Sequence, residues 1–427
     1  MPSSFNLTNF DAAMKHMYPY KKVENMVYQN NPLLAMIPKE TSFPGRNATY
    51  AVEYGLTNGR SANFQTAQNN RNGTKLKDFV VTRVKDYAVV SVDNETLLAA
   101  DGSEGSLLDV AKSKTDSALH ALARAMGRDI YRSGSGAIGT LDRSVAATGT
   151  TITLDPKSDV VNFEVGMRIC ASDGASSSDD GSALLNNGAA VEITAIDRAA
   201  GTLTIQTAME SVWGTLSADK FLYVEGDGQN GGTAAKISGL ASWLPSSAPG
   251  GSDSFFNVNR STDVTRLAGQ RLAGSFSTIR ESLIDAAVQV AREGGRPDAV
   301  FMNPLDWAEL AKSLEGTTTV SSGQSPNRRR YDSSDAAATF GFSSLSLAAP
   351  TGMLDIFADH NCPENRCYML QLDTWKFKSL GPAPRILDFD GLKGIRQANE
   401  DGVEYRWGYY GNLLCTAPGF NATIALA

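Results

Sequence analysis

The chain is poor in the residues on which most metal sites and acid–base sites depend. Its 427 residues include three histidines, His16, His120 and His360, and four cysteines. The histidines lack the spacing of a metal motif, and the cysteines are not paired in the sequence, which is typical of a reducing compartment. No Walker, G-x-S-x-G or H-E-x-x-H pattern occurs. The sequence therefore predicts no catalytic residue, no metal site, no cofactor and no enzymatic activity.

Long apolar runs and an excess of positive charge are also absent. No run approaches the roughly 18 apolar residues that a membrane-spanning helix needs, and the first residues lack the basic and then apolar order of a signal peptide. We therefore expect no membrane partner. The formal net charge is −7, which argues against a dedicated DNA-binding protein, because such proteins carry a basic surface.

Two short clusters resemble binding sites without completing them. His360, Cys362 and Cys367 lie close together in the sequence, but a structural zinc site needs four ligands and no fourth is paired nearby. The Asp388-Phe389-Asp390-Gly391 segment resembles the start of a calcium loop, but the later ligands are missing. Turns are favoured over binding sites in both places.

The clearest predicted helix covers residues 106–132. Ser106 is placed to cap it, and Asp109 follows three residues later, where a carboxylate favours a helix start. At about 1.5 Å per residue the helix spans roughly 40 Å, so we expect a strut against which other elements pack. Its apolar residues fall at helical spacing along one stripe, namely Leu108, Ala111, Leu119, Leu122, Met126 and Ile130.

Residues 45–92 have the pattern of a long β-hairpin. Residues 47–55 and 79–92 are rich in β-branched and aromatic residues and predict strands. Residues 56–77 between them are rich in Asn, Gln, Thr and Gly, which indicates a polar tip. An isolated hairpin is marginally stable in water. Two interpretations stay open: an arm that packs on a neighbouring molecule, or an ordinary surface hairpin.

Further along the chain, β-rich segments flank a mixed α/β region. Residues 275–293 predict a helix, residues 299–302 a buried strand, and Asn303 caps a helix that starts at Pro304 and runs to about residue 314. Before this region, short strands separated by turn residues predict a small inserted β barrel or sandwich, at residues 150–154, 167–171, 190–196, 202–206 and 221–224. After it, strands are predicted at residues 345–347, 353–357, 367–372, 375–379, 402–410 and 412–416.

Two segments lack a regular period. Residues 30–38 place two prolines around an apolar centre and predict an extended segment that docks on another surface. Residues 315–344 are polar and predict a loop. The Arg328-Arg329-Arg330 run lies in this loop, where a solvated charge run is favoured over contact with nucleic acid or an acidic partner.

The order and spacing of these features resemble one family, the major capsid proteins of tailed double-stranded DNA phages with the Hong Kong 97-like shell fold. Residues 31–38 resemble the N-terminal arm, residues 45–92 the extended loop and residues 106–132 the spine helix. Gly239-Leu240 with Trp243-Leu244 resembles the entry into the axial domain. Residues 276–304 are similar to that domain's helix, strand and helix, and residues 405–413 to the closing strands. No single motif is specific, and the β-rich insertion departs from the minimal family pattern.

The resemblance implies an α+β fold with an N-terminal arm, an extended β-hairpin loop, a long spine helix, peripheral and axial domains, and an inserted small all-β module. The implied ranges are 1–44 for the arm, 45–92 for the extended loop, 93–139 for the peripheral domain with the spine helix, 140–232 for the module, 233–350 for the axial domain and 351–427 for the peripheral return strands.

The resemblance also implies a structural function. Subunits would form pentamers and hexamers that close the icosahedral phage head around double-stranded DNA, after assembly in the bacterial cytoplasm. Implied partners are other copies of the chain, the portal protein and, non-specifically, packaged DNA; scaffold and decoration proteins stay open. Because the arm begins close to residue 1, we expect a separate scaffold or none. The inter-subunit contact candidates are Pro32, Leu33, Leu34, Ile37, Arg60, Phe64, Lys75, Lys77, Arg328, Arg329 and Arg330.

Three alternatives accompany this interpretation. An encapsulin-type nanocompartment shares the fold, but encapsulins are usually shorter and lack such an insertion. A cytosolic enzyme with an unrecognised site is disfavoured by the scarcity of histidine and of any acid–base constellation. Some phage relatives cross-link the loop through a Lys–Asn isopeptide bond. Lys75 and Lys77 lie at the loop tip, but no partner Asn or catalytic Glu matches by motif, so we expect solvated lysines.

Overall fold

The computed structural model describes residues 31–43, 45–95, 110–142, 149–172, 184–214, 220–228, 235–274, 278–315, 344–350, 352–388, 394–397 and 400–426. Within these ranges the fold is α+β, with three six-stranded sheets and one two-stranded hairpin. The predictions for Ser106, Leu108 and Asp109 lie outside the described residues. So do those for the Arg328-Arg329-Arg330 run and for most of the calcium-like segment.

The described residues form seven α-helices, which are α1 Pro32–Met36, α2 Phe64–Asn69, α3 Val110–Asp129, α4 Met209–Val212, α5 Leu240–Trp243, α6 Ile279–Arg292 and α7 Pro304–Glu315. The predicted strut helix is confirmed over α3, whose 20 residues span about 30 Å. Leu122, Met126 and Ile130 are buried along it as the stripe predicts, whereas Leu119 is half-buried. The two helices of the α/β region are also confirmed. Asn303 caps α7, since its Oδ1 accepts a hydrogen bond from Leu305 N at 3.0 Å.

The strands follow in chain order as β1 Lys39–Glu40, β2 Asn47–Gly55, β3 Lys75–Thr82, β4 Val84–Asp93, β5 Ala137–Thr140, β6 Thr151–Thr153, β7 Arg168–Ala171, β8 Val191–Asp197, β9 Thr202–Ile205, β10 Phe221–Val224, β11 Gln270–Leu272, β12 Ala299–Met302, β13 Ser344–Ala349, β14 Gly352–Ala358, β15 Arg366–Leu370, β16 Trp375–Ser379, β17 Arg385–Ile386, β18 Gly394–Arg396, β19 Gly402–Cys415 and β20 Ala422–Ala425.

The first sheet is organised around β19, the longest strand of the described chain. β4 lies antiparallel along one side of it, from Asp93 opposite Gly402 to Val84 opposite Gly411. β16, β17 and β18 lie antiparallel along its other side, and β1 extends the sheet by pairing in parallel with β16. α3 packs against β4 and β19. The buried stripe of the helix therefore joins the core of this sheet.

The α/β region is a sheet in the order β11-β20-β15-β12-β14-β13. β12 lies parallel to β14 and antiparallel to β15. All four β12 residues are buried, as expected for a central strand covered on both faces. Leu283, Ala287 and Val290 of α6 and Leu310 of α7 contribute to the core of this sheet.

Residues 137–224 contain a sheet of their own, in the order β5-β10-β7-β8-β9-β6. Its core includes Ile138, Phe163 and Leu222 and shares no residue with the other two main cores. All five strands predicted here are found, within one or two residues at each end. β5 was not predicted, because Ala-Ile-Gly-Thr has too few β-formers to stand out.

Residues 30–38 are not extended as predicted, because α1 covers Pro32–Met36. Pro32 stands at the first helical position, where its fixed φ suits the helix and its missing N–H is not needed. Leu33 and Leu34 are buried in the core beneath α3. The helix ends at Met36, and Ile37, which directly precedes Pro38, is extended, as the restriction on residues preceding proline requires.

β19 is one strand where the sequence predicts two. Gly411 suggests a break in the sequence, but the strand continues through it to Cys415. The glycine is required by close packing, since a Cβ atom at position 411 would lie 2.6 Å from the carbonyl oxygen of Lys378 on β16. Glycine here permits the approach of a neighbouring backbone rather than a turn.

We expect Gly411→Ala to destabilise the subunit, because the added methyl group must push β16 away from β19. Overpacking of this kind lowers the free energy of unfolding by about 1–3 kcal/mol. Urea unfolding of the variant measures the effect. Gly250→Ala is the matched control, since a Cβ atom there meets nothing within 4 Å. Equal stability of the two variants would contradict the packing argument.

Candidate functional site

The hairpin of β2 and β3 is fixed to the subunit only at its base. The two strands pair from Asn47 opposite Thr82 to Gly55 opposite Lys75. Near the base Phe79 is fully buried. Its ring centroid lies 6.0 Å from that of Tyr50 and 5.3 Å from that of Trp243. The hairpin therefore begins inside the main core of the protein.

Hydrogen bonds hold the same base in place. Val80 N donates to the carbonyl oxygen of Phe256 at 3.0 Å, and Tyr50 Oη donates to that of Cys415. Arg266 Nη1 donates to the carbonyl oxygen of Tyr54 at 2.8 Å. These bonds fix the direction in which the hairpin leaves the subunit.

Beyond Tyr54 the hairpin projects into solvent. Leu56, Phe64 and Leu76 have exposed fractions of 80%, 77% and 56%. Single exposed apolar residues are normal on protein surfaces, but three on one projecting element indicate a surface that a partner covers.

The tip has local order of its own. α2 is capped by Asn63, whose Oδ1 accepts from Gln65 N at 2.9 Å and from Thr66 N at 3.2 Å. The hydroxyl oxygens of Thr57 and Thr74 lie 3.1 Å apart across the neck of the tip. The tip thus presents its side chains on a short, capped helix rather than on an irregular loop.

The tip is also cationic. Residues 56–77 contain Arg60, Arg71, Lys75 and Lys77 and no Asp or Glu, in a chain whose formal net charge is −7. Nearer the base the hairpin carries exposed carboxylates at Glu53 and Asp78. The charged residues of the segment 56–77 are therefore all cationic.

The contact candidates fall into three groups. Arg60, Phe64, Lys75 and Lys77 lie on the distal part of the hairpin, and the first three are exposed while Lys77 is half-buried. The four candidates of the N-terminal segment, Pro32, Leu33, Leu34 and Ile37, are buried within their own chain. Arg328, Arg329 and Arg330 lie outside the described residues. The inter-subunit role of all three groups stays a prediction.

Sequence reasoning missed a second exposed surface, on β4. Tyr87 and Val89 have exposed fractions of 47% and 57%, and the Tyr87 ring stands at 78° to that of Tyr410, with centroids 6.0 Å apart. Side chains alternate between the two faces of a strand, so Tyr87 and Val89 could have been assigned to one face and Ala88 and Val90 to the other. The sequence did not indicate which of these two faces is exposed, because both carry apolar residues.

α1 is held against α3 by a buried polar network. Tyr131 Oη donates to Asp359 Oδ2 at 2.9 Å, and Asn361 Nδ2 donates to Asp359 Oδ1 at 3.0 Å and to Asn31 Oδ1 at 2.8 Å. Burial raises the pKa of Asp359 to about 6, although hydrogen bonds from Asn361, Tyr131 and Leu33 oppose the rise. The network fixes the start of the described chain.

This pKa predicts a pH dependence of stability. The folded pKa of Asp359, about 6, exceeds the usual carboxyl value, so protonation of this carboxyl favours the folded state. Its contribution to the free energy of unfolding is complete below the carboxyl pKa of the unfolded chain and is lost as the pH rises through 6. Relative to Asp359→Asn, the free energy of unfolding of the native chain should fall by about 2–3 kcal/mol between pH 4 and pH 7.

Urea unfolding of each variant at one-unit pH steps measures the free energy of unfolding as a function of pH and tests this prediction. Asp116→Asn is the control, because Asp116 is exposed on α3. Parallel pH profiles for the native chain and Asp359→Asn would show that Asp359 does not titrate in this window. The Asp116→Asn profile should parallel that of the native chain.

The His360–Cys367 cluster is packed as a turn. Cys362 and Cys367 are free and buried, and burial raises the pKa of both thiols, so neither is poised as a thiolate. Among the described residues no group of three His, Cys, Asp or Glu side chains is arranged to hold a metal ion. Nor does any described helix have the length and apolar character that crossing a membrane requires.

A cavity between α3, β4 and the 137–224 sheet is lined by ion pairs. Lys236 Nζ lies 2.8 Å from Asp86 Oδ1 and 3.0 Å from Asp227 Oδ2. Arg124 pairs with Glu164 across the same cavity. Desolvation alone would lower the pKa of Lys236, but the surrounding carboxylates outweigh it and raise this pKa. These charges neutralise one another and join the sheet to the helix.

A family model and several solved structures match the chain. Residues 208–395, from α4 to β18, match the model of the family described as SU10 major capsid protein. No curated protein matches. Among solved structures, the chain is similar to a chain of the cyanophage A-1(L) capsid asymmetric unit, with a TM-score of 0.54, 10% identity and 95% of both chains covered.

Two further structures are similar at lower scores. The capsid of the native GTA particle gives a TM-score of 0.49 at 10% identity, and the structure from Mycobacterium phage Ogopogo gives 0.46 at 11% identity, each over 100% of both chains. At such identities structural likeness speaks for the fold, and the cyanophage match shows that this fold is that of a capsid subunit.

The fold and the family match rest on different kinds of comparison. The first compares backbone geometry over 95% of the chain. The second compares sequence over residues 208–395, which hold most of the α/β region together with β16 and β17 of the β19 sheet. Residues 208–395 thus match a family of major capsid proteins, and the chain as a whole is similar in fold to a phage capsid subunit.

Proposed function

We propose that the subunit assembles into pentamers and hexamers that close an icosahedral head of the Hong Kong 97-like type, and that the hairpin makes the contact between neighbouring copies in a ring. The single observation that carries this proposal is a hairpin whose base is buried at Phe79 while its distal residues Leu56, Phe64 and Leu76 are exposed. A projecting element that docks on a different surface of the next copy forms a head-to-tail contact, and such contacts close into rings.

In this proposal the parts of the fold take the family's roles. Residues 1–44 form the N-terminal arm, residues 45–92 the extended loop, and residues 93–139 and 351–427 the peripheral domain, with α3 as the spine helix. Residues 233–350 form the axial domain, and the Arg328-Arg329-Arg330 run lies in its loop at the ring centre. Residues 140–232 form an inserted β module that stands on the outer shell surface or supports neighbouring subunits. α3, the β19 sheet, the α/β sheet and the separate core of the 137–224 sheet support this division.

The proposed partners beyond other copies are the portal protein, scaffold or decoration proteins, and packaged double-stranded DNA without sequence preference. The net charge of −7 suits a shell that holds DNA without binding it tightly, because like charge limits adhesion to the wall.

Negative-stain electron microscopy of the purified full-length chain, alone and with any scaffold protein encoded beside it, tests the assembly. Rings of five and six subunits or uniform round shells are expected. Discrete monomers or dimers under all conditions would refute the proposal. An encapsulin-like shell would form as well but would carry protein rather than DNA, so nuclease-protected DNA in particles from infected cells separates the two.

A further inference from the structure

Four asparagines of the chain directly precede a glycine, namely Asn58, Asn72, Asn187 and Asn230. In such a pair the backbone nitrogen of the glycine can attack the side-chain carbonyl carbon of the asparagine and close a five-membered ring, because glycine has no Cβ atom to hinder the approach. Asn230 lies outside the described residues. The other three asparagines are exposed, so the local backbone decides which of them can close the ring.

Asn72 has the least restrained surroundings of the three. Asn72 and Gly73 are both exposed and lie between α2 and β3, outside any helix or strand. A Cβ atom at Gly73 would meet nothing within 4 Å, so no neighbouring side chain crowds this peptide. Exposed loop tips are the segments whose backbone moves most freely. The backbone at Asn72 can therefore rotate until the Gly73 nitrogen faces the side chain.

Asn58 lies on the opposite side of the hairpin tip, and its glycine is less free. Gly59 is half-buried, and a Cβ atom there would lie 3.3 Å from the carbonyl oxygen of Ala67 in α2. The peptide that must rotate is thus packed against α2. Ring closure at Asn58 should therefore be slower than at Asn72.

Asn187 is exposed as well, but its backbone is held in an unreactive conformation. It lies in a short 3₁₀ turn over Leu185–Gly188, with φ 49° at Asn186 and φ 56° and ψ 32° at Asn187. Ala189 N donates to the carbonyl oxygen of Asn186 at 3.2 Å and closes this turn. At this ψ the nitrogen of Gly188 points away from the Asn187 side chain, so the ring can form only after the turn opens.

We propose that Asn72 is a site of spontaneous deamidation in the unassembled subunit, with Asn58 as a slower second site. The reaction needs only water and no second copy of the chain, so it does not depend on the proposed function. It makes the hairpin tip a chemically variable surface whose positive charge falls with time.

The reaction runs in two steps, without oxidation or reduction. First, the backbone nitrogen of Gly73 gives up its proton to hydroxide and attacks Cγ of Asn72. The new C–N bond closes the ring, the Cγ–Nδ2 bond breaks, and Nδ2 leaves as ammonia after taking a proton from water. A second water then opens the ring. Attack at Cγ leaves an aspartate at position 72, and attack at the backbone carbonyl carbon leaves an isoaspartate, in which the chain runs through the side chain.

Conversion changes the electrostatics of the tip. Residues 56–77 carry Arg60, Arg71, Lys75 and Lys77 and no acid, a formal charge of +4. Both products carry a carboxyl group, whose usual pKa of about 3.9 leaves it ionised at neutral pH. Conversion of the two asparagines adds two negative charges and therefore lowers the formal charge of this segment from +4 to +2.

Peptide mapping of the full-length subunit, kept dilute so that it stays unassembled, tests the site. Chymotrypsin cleaves after Phe and Leu and separates the three asparagines onto residues 57–64, 65–76 and 186–203. Mass spectrometry then gives the converted fraction of each asparagine against time. Conversion should be fastest at Asn72 and at least about tenfold slower at Asn187, the ratio that an opening cost of about 1.4 kcal/mol for the 3₁₀ turn produces. Conversion should also rise with pH, since the attacking nitrogen must first lose its proton.

Gly73→Ala is the matched variant. The φ of Gly73 lies outside the left-handed region, and the added Cβ atom meets open space, so the variant should fold like the native chain, which circular dichroism checks. Because its Cβ atom hinders attack by the nitrogen, most of the conversion at Asn72 should be lost while Asn58 converts as before. Equal conversion at Asn72 and Asn187, or no loss in Gly73→Ala, would overturn the proposal.

Failure of the proposed function would give a different result. If the tip contacts a neighbouring copy, Asn72 should convert more slowly in assembled particles than in dilute subunits, because the contact restricts the backbone. Equal rates in particles and subunits, with Asn72 still faster than Asn187, would contradict the proposed role of the hairpin and support the deamidation site.

Discussion

A chain in which residues 56–74 are replaced by Asn-Gly should fold like the native subunit and form no shells. The new turn joins Gly55 to Lys75, which already pair, and Asn-Gly suits a two-residue hairpin loop. The removed residues are exposed or half-buried, so the free energy of unfolding should change by less than about 1 kcal/mol. Assembly should be lost, because the exposed apolar Leu56 and Phe64 and the exposed cations Arg60 and Arg71 are removed.

Thermal unfolding and electron microscopy of the same preparation measure the two properties together. A matched control replaces Asn69 and Asn70 at the end of α2 with serine, which keeps the length, charge and apolar residues of the tip. This control should give normal particles. Normal shells from the shortened chain would mean that the hairpin is an ordinary surface feature, the alternative that the sequence left open.

Trp243→Ala should be among the most destabilising single substitutions in the chain. Trp243 is fully buried, and its ring centroid lies 5.3 Å from Phe79 of the hairpin, 4.9 Å from Phe255 and 6.5 Å from Trp375 of β16. Its Nε1 also donates to the carbonyl oxygen of Leu413 on β19 at 3.3 Å. Removing the ring leaves a cavity where several elements meet, at a cost of about 3–5 kcal/mol.

Urea unfolding of full-length subunits measures this loss, with Leu305→Ala as the control because Leu305 has an exposed fraction of 59%. The control should change stability by less than about 0.5 kcal/mol. A loss below about 1 kcal/mol for Trp243→Ala would show that the aromatic cluster repacks around the vacancy. The hairpin would then be less firmly fixed than its buried base indicates.

Local pattern was enough to predict the elements that carry their own signals. β2, β12 and β16 match the predicted strands residue for residue, and α7 starts at the predicted proline. α1 was predicted as extended because two prolines outweighed a short helix whose stability comes from burial of Leu33 and Leu34. β19 was divided in two because the need for glycine at 411 comes from β16, which lies more than thirty residues earlier.

The residues of the candidate site were also predictable from the sequence only in part. The exposed cations of the hairpin tip follow from its polar sequence, so Arg60 and Lys75 could be proposed without a fold. The contact at the end of the β4–β19 ladder could not, because Asn94 and Asp401 are about three hundred residues apart and meet only through the pairing of these two strands. The Asp359 network, which joins Asn31 to Tyr131, is equally invisible to local pattern.

The continuity of β3 and β4 has a mechanical consequence. Arg83 alone separates the two strands, so the strand that leaves the hairpin becomes the strand that pairs with β19. Tension applied at the tip passes along the backbone into both ladders, whose hydrogen bonds lie across the direction of pull and must therefore yield together in shear. A shell joined through such hairpins would distribute a stretching force over whole sheets instead of concentrating it at loops. Such a shell would resist pressure from within, although each contact between subunits is weak enough to form reversibly.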